Sequence, residues 1–251
     1  MAESIAEFLI QNFQARRSDC AYRQRRGYRW ESFTYGQVFD LALGVECELK
    51  LRGIAKGDRI LLWGENSAEW VAVFFACAIR GVVVVPMDDA ASIDFALRVS
   101  KQVQAKLVIT SDAHGSALAS SIPIITFEDV RRMSLNTKPA SDEAVSGHND
   151  VLQIVFTSGT TADPKGVVIT HGNVLSNIAP LEHEIRAYLK YESFVHPVRF
   201  LNLLPLSHDR EGADRLGRGK AGVEIRPVVH HTDAIRQAAV GRRASGVAHI
   251  L

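Results

Sequence analysis

Two hydrophobic periods alternate along the chain. Arg59-Ile-Leu-Leu-Trp63, Val82 to Val85, Lys106 to Thr110 and Pro123 to Phe127 are short apolar runs that predict strands, the second of them stopped by Pro86. Ala68 to Ile79 and Ser92 to Gln104 are longer and read as helices. Two earlier helices are marked by their first turns. Ser4 with Glu7 and Thr34 with Gln37 both fit a capping box, in which a hydroxyl and an acid or amide three residues on satisfy each other's backbone N–H, and the second helix runs to about Gly53. Runs that are apolar at every position, such as Val82 to Val85, suit strands covered on both faces. Strands alternating with helices in this way predict an α/β sheet flanked by helices.

Residues 134 to 150 break the pattern with Asn, Lys, Pro, Ser, Asp, Glu and Gly in succession and read as a connector or subdomain boundary. Beyond them, Gln153-Ile-Val-Phe156 and Gly166-Val-Val-Ile-Thr170 predict two buried strands, with a polar loop between them at the strand ends of a sheet. Small side chains in that loop let backbone N–H groups approach an anion, and Gly159 can take a backbone conformation that a β-carbon forbids. Ser158, Thr160 and Thr161 add hydroxyl donors, Lys165 adds a mobile positive charge matched to phosphate oxygens, and Pro164 stiffens the turn. The plainer reading is a polar hairpin loop, because the same residue types are the usual turn formers. A Walker loop needs its lysine after a glycine and a helix directly following. Here Lys165 precedes Gly166 and a β-type run, which disfavours that class.

Composition sets outer bounds. With 251 residues and 47% hydrophobic content the chain can bury a core and form one large or two smaller domains. A formal net charge of +1 gives no global reason to expect nucleic acid, and no basic stripe interleaved with aromatics is identified. Cys20, Cys47 and Cys77 are far apart and show neither zinc nor disulfide spacing, which suits a reducing cytoplasm and implies no metal site. Acidic Glu3 and Glu7 and the lack of a long apolar run argue against a signal peptide. The greasy stretch from Trp70 to Ile79 is cut by Arg80-Gly81 well short of the ~20 residues a membrane helix needs, so no transmembrane segment is expected.

Thr157-Ser-Gly-Thr-Thr-Ala-Asp-Pro-Lys-Gly166 resembles the phosphate-binding signature of the AMP-forming adenylating enzymes, the superfamily of acyl-CoA synthetases, luciferases and peptide-synthetase adenylation domains. Val168 to Asn177 is similar to that family's next segment, a strand and then a helix opening at a His-x-Asn. Phe33-Thr-Tyr-Gly-Gln37, Gly53 to Ile60, Glu65-Asn-Ser-Ala-Glu-Trp70 and Gly81 to Pro86 look like its N-terminal landmarks in order, so the resemblance covers roughly residues 28 to 208. One departure is Ala162, where the family usually has glycine; a left-handed backbone there costs alanine about 1 kcal/mol or more.

The resemblance implies the N-terminal portion of the large domain of an adenylate-forming enzyme, incomplete, with mixed sheets flanked by helices. It implies ATP, Mg2+ and coenzyme A. A carboxylate attacks the α-phosphorus to give acyl-AMP and pyrophosphate, and the thiol then displaces AMP. Thr157, Ser158, Gly159, Thr160, Thr161, Lys165 and Gly166 would hold the ATP phosphates, positioning the leaving pyrophosphate without attacking anything. Leu204-Pro-Leu-Ser-His208 looks like the family's Pro-Leu-x-His segment, which places His208 near the substrate and not as a base. On the residues alone His208 is equally a hydrogen-bonded histidine at a strand end. The landmarks look most like long-chain enzymes, so a fatty acid is the implied carboxylic acid, and the implied location is cytoplasmic, including peripherally at a membrane.

Other motifs carry less. Gly217-Arg-Gly-Lys-Ala-Gly222 satisfies G-x-G-x-x-G, yet no strand precedes it and no helix start follows. His183 between two glutamates and the pair His230-His231 read as solvated surface groups, and Asn66 reads as a turn residue. Residues 1–208 therefore read as a partial AMP-binding domain. Residues 209–251 differ in texture: they hold seven arginines, six glycines and no Phe, Trp or Tyr, and carry +3 where residues 1–208 carry −2. Such a tail fits a frameshifted or aberrant translation of a GC-rich gene. No catalytic set is complete by Leu251, so two readings stand: an acyl-CoA ligase by descent, and a noncatalytic fragment that binds polyphosphate or a partner chain.

Overall fold

The computed structural model of this protein describes residues 2–118, 122–133, 146–157, 164–178, 200–202 and 223–225. The chain order is α1 (Ile5–Ala15), β1 (Cys20–Arg26), β2 (Arg29–Thr34), α2 (Tyr35–Leu51), β3 (Arg59–Trp63), α3 (Ala68–Arg80), β4 (Val83–Met87) and α4 (Ile93–Val103). It continues with β5 (Leu107–Thr110), α5 (Asp112–Leu118), β6 (Ile124–Thr126), α6 (Phe127–Met133), β7 (Val151–Thr157), β8 (Lys165–Thr170), β9 (Phe200–Asn202) and β10 (Val223–Ile225). A six-stranded sheet has the order β6-β5-β3-β4-β7-β8, and a four-stranded sheet the order β2-β1-β10-β9. The first is parallel except for β8, which returns antiparallel to β7; the second is antiparallel throughout. This is the mixed α/β architecture that the alternation of runs predicts.

Period-two side-chain placement explains how the large sheet is covered. In β3, Ile60 and Leu62 face a core built with α1, α2, α3 and α6, while Leu61 and Trp63 face a second core built with Ala96 and Val99 of α4 and Leu118 of α5. All four are fully buried. The helix ends follow their caps. Thr34 and Gln37 form the full reciprocal box on α2, and Ser67 and Ser92 each accept from the backbone three residues on. The first box is only half made, for Ser4 accepts from Glu7 while the Glu7 carboxylate takes the N–H of Glu3 instead. Gly81, at φ 72, ends α3 in the left-handed conformation.

Four expectations need correction. Pro86 does not stop β4 but lies inside it, opposite Leu62, and the strand runs on to Met87. β6 ends at Thr126, and Phe127 opens α6. β8 is not buried: residues 165–168 are exposed, because β8 is the edge of the six-stranded sheet. A short basic and aromatic stripe does exist, on the β1–β2 hairpin, where Arg23, Arg25 and Arg29 accompany Tyr28 and Trp30.

The second residue of α2 is held against the chain that precedes β1. Gly36 N–H donates to Arg17 O at 2.9 Å, and a β-carbon on Gly36 would lie 2.9 Å from that same backbone oxygen. Backbone cannot swing aside as a side-chain end can, so Gly36→Ala is expected to cost about 1 to 3 kcal/mol of stability. Urea unfolding measures it; an unchanged midpoint would mean that α2 slides freely at this contact.

Candidate functional site

The β7–β8 hairpin positions Thr157, Lys165 and Gly166, the sequence-predicted site residues that lie within the described chain. β7 runs parallel to β4, so its last residue, Thr157, lies at the carboxyl edge of the parallel strands, together with Trp63 of β3, Met87 of β4 and Thr110 of β5. Ligands of open α/β sheets gather at that edge. Thr157 pairs with Lys165 in the final register of the hairpin, so the two residues form the mouth of the loop that joins the strands. Lys165 is exposed and makes no ion pair with any described residue. Its neighbour Gly166 is packed so closely that a β-carbon would come within 2.9 Å of both Ile154 and Phe156. The two strands expected from sequence on either side of residues 158–163 are therefore present. Ser158, Gly159, Thr160, Thr161 and Ala162 lie outside the described residues, as do His208, His183, His230, His231 and the Gly217–Gly222 motif.

The far end of β8 is an anchor, not part of this mouth. Residues 171–178 are helical, opened by a reciprocal pair in which Thr170 N–H donates to Asn173 and Asn173 N–H donates to the Thr170 hydroxyl. His171 is fully buried, and its Nδ1 accepts the Ile5 N–H at 3.2 Å, tying the hairpin to α1. Burial pushes the imidazole down to about 4, against the pull of Asp150 and with the push of Lys56. Asp150 is held below its ordinary value by Lys56, whose ammonium lies 2.6 Å away, and by the Gly147 N–H, while burial acts in the opposite sense. The His-x-Asn seen in the sequence thus fixes the hairpin's base.

A second group of polar residues meets at the carboxyl edge and has no sequence motif. β3 leads into α3 on one face of the sheet and β4 into α4 on the other, so the winding of the chain reverses between the two strand ends. Trp63 stacks on His114, with ring centroids 4.0 Å apart, and His114 Nε2 lies 3.1 Å from Asp89 Oδ1. Like His171 Nε2 at the hairpin base, Trp63 Nε1 and Thr110 Oγ1 are buried without a hydrogen-bond partner among the described residues. These residues come from three separate strand-to-helix connections, so neither spacing nor composition could have grouped them. No three of His, Cys, Asp and Glu come together to hold a metal among the described residues, and no described helix is long and apolar enough to cross a membrane.

Comparison with known proteins covers most of the chain. The family model described as "AMP-binding enzyme" matches residues 11–232. Long chain acyl-CoA synthetase 1 of Arabidopsis thaliana is 25% identical over 225 residues, covering 78% of this chain and 34% of the relative. 4-Coumarate–CoA ligase 1 of Petroselinum crispum is 30% identical over 165 residues, covering 61% of this chain and 30% of the relative. Among solved structures, the N-terminal domain of FACL13 from Mycobacterium tuberculosis superposes with a TM-score of 0.61 at 27% identity, covering 71% of this chain and 47% of that one. The chain spans about a third of the length of the curated relatives it matches.

Proposed function

The chain belongs to the AMP-binding enzyme family, and on that premise we propose that its β7–β8 hairpin is the phosphate clamp of an ATP-dependent, acid-activating ligase. One observation carries the reading: Thr157 and an exposed Lys165 face each other across the hairpin mouth, at the ligand-bearing edge of the sheet. Lys165 neutralises charge on the β- and γ-phosphates, while Ser158, Thr160 and Thr161 donate hydrogen bonds and Gly159 gives backbone access. Gly166 has no side chain to force Phe156 and Ile154 apart, so the hairpin stays closed beneath the loop. Together these groups orient the leaving pyrophosphate in line with the attacking carboxylate, and they take no proton and form no covalent bond. Mg2+ supplies further charge neutralisation when bound, and coenzyme A accepts the acyl group.

A fatty acid is the proposed carboxylic acid, with His208 near it. The long-chain relative supports this choice, and the coumarate ligase marks the competing acid class. Residues 1–208 are proposed as the partial AMP-binding domain and 209–251 as an atypical tail, although the family match continues to residue 232. The proposed location is the cytoplasm, with contact at a membrane surface.

A second reading is favoured by the share of its relatives that the chain spans: alone, it binds polyphosphate without turnover. This chain with ATP, Mg2+ and a panel of fatty and aromatic acids is expected to release no pyrophosphate. Tripolyphosphate binding, followed by calorimetry, should weaken about tenfold in Lys165→Ala, the worth of one charge-assisted contact. Wild-type affinity in that variant would remove Lys165 from the clamp, and pyrophosphate release sensitive to Lys165→Ala would establish turnover by the chain alone.

A further inference from the structure

The β1–β2 hairpin divides its arginines between two faces. Tyr22, Gln24 and Arg26 alternate toward the protein, and Arg23 and Arg25 alternate away from it, in register with Ser32 and Trp30 on β2. On the inner face the Arg26 guanidinium is engaged by Glu69 at 2.9 Å, Glu128 at 3.0 Å and Glu31 at 3.3 Å. On the outer face the Arg23 guanidinium sits 5.5 Å from the Trp30 ring centroid, and Arg25 Nε donates to Gly27 O at 3.1 Å, bracing the turn. The tip projects into open space: a β-carbon on Gly27 would meet nothing within 4 Å, Tyr28 is 97% exposed and Trp30 is 55% exposed. Arg29 is exposed too, but it is in register with Arg26 and so belongs to the other face. Among the described residues, Glu224 on β10 lies in register opposite Arg23.

We propose that this tip docks on an anionic lipid bilayer, with Tyr28 and Trp30 at the depth of the headgroups and Arg23 and Arg25 over the lipid phosphates. Tyr and Trp are amphipathic rings that settle at membrane–water interfaces, and a guanidinium matches phosphate oxygens with two parallel donors. Each basic residue near an anionic surface strengthens attachment about fivefold. A nucleic-acid track is disfavoured because the basic surface stops at the tip: the next charges inward are the Glu31, Glu69 and Glu128 carboxylates, and the whole chain carries +1. The proposal supplies a contact surface for the membrane location given above and stands or falls independently of the ligase chemistry.

The test uses the full chain with vesicles of phosphatidylcholine, alone or mixed with phosphatidylglycerol, read by cosedimentation and tryptophan emission. Trp63 and Trp70 are buried, so a blue shift reports Trp30. Binding is expected to the mixed vesicles only, with a blue shift that salt reverses. Tyr28→Ser/Trp30→Ser should lower partitioning about tenfold, and Arg23→Gln/Arg25→Gln more than tenfold, with unchanged circular dichroism. The proposal is overturned by equal binding to neutral vesicles, by hairpin variants that bind like the wild type (attachment then residing elsewhere, as in the arginines of residues 209–251), or by a single-stranded oligonucleotide giving the shift where vesicles give none.

Discussion

Glu69→Ala should lower the unfolding free energy by about 2 to 3 kcal/mol, the largest single loss expected from a polar position in this fold. Glu69 lies in the first turn of α3 with its carboxylate fully buried. It accepts from Arg131 Nε at 2.8 Å, from Arg26 at 2.9 Å and from Gln24 Nε2 at 3.3 Å, while Gln24 Oε1 accepts the Ala68 N–H at 2.8 Å. One carboxylate therefore joins β1, α3 and α6. Removing it leaves the two guanidiniums to the more exposed Glu31 and Glu128, without the buried acid that both of them reach. Burial lowers the Arg131 proton affinity and Glu69, Glu31 and Glu128 raise it, with the net effect upward, as expected for a cation held by acids. The loss falls short of that for a deeply buried pair because Arg26 and Arg131 are partly exposed and can recover water. Glu69→Gln keeps the volume and tests the charge, and should retain less than half of the lost stability. A midpoint shift worth under about 0.5 kcal/mol in urea would show the network to be ornamental.

Acidification between pH 6.5 and 4 should destabilise the protein by about 3 kcal/mol through His171 alone. The sign follows from where the proton goes. In the unfolded chain the imidazole titrates near 6.5, and in the folded chain burial holds it down at about 4. Between those values the unfolded state takes up a proton that the folded state refuses. The stability is thus fully present above pH 6.5 and is lost as pH falls toward 4. A protonated ring could no longer accept the Ile5 N–H, so α1 should loosen from the hairpin base. Asp58 and Asp150, both held below the ordinary carboxylate value, add their losses at lower pH still. Comparing unfolding at pH 7.5 and 4.5 for the wild type and His171→Gln isolates the effect: the variant is less stable at both but should lose little between them. An equal slope in the two proteins would assign the acid sensitivity elsewhere.

What the sequence discloses here is what neighbours along the chain decide. α3 and α4 start where Ser67 and Ser92 cap them, and β3 and β5 match runs buried at every position but Arg59. The strands that flank residues 158–163 were legible for the same reason, since two β-type runs meet as β7 and β8. The β1–β2 hairpin escaped because its inner face is polar. Gln24 is buried not by hydrophobicity but by bonds to Ala68 and Glu69, which lie far along the chain. α5 and α6, at seven residues each, are too short to show a period. Trp63, Asp89 and His114 meet only because β4 and β5 lie on opposite sides of β3, a fact of topology that no local window contains.

The same topology sets an order of assembly at the ribosome. The six-stranded sheet is built from consecutive units that close by Thr170, so each strand finds its neighbour soon after synthesis. β1 is different: on one side it pairs at once with β2, but on the other its partner is β10, where Tyr22 meets Ile225. At ~5 to 20 residues per second, that side of β1 waits on the order of 10 to 40 seconds for its mate. During that interval the nascent chain presents a strand edge beside a finished core, and a chaperone that shields extended backbone would have its work at β1.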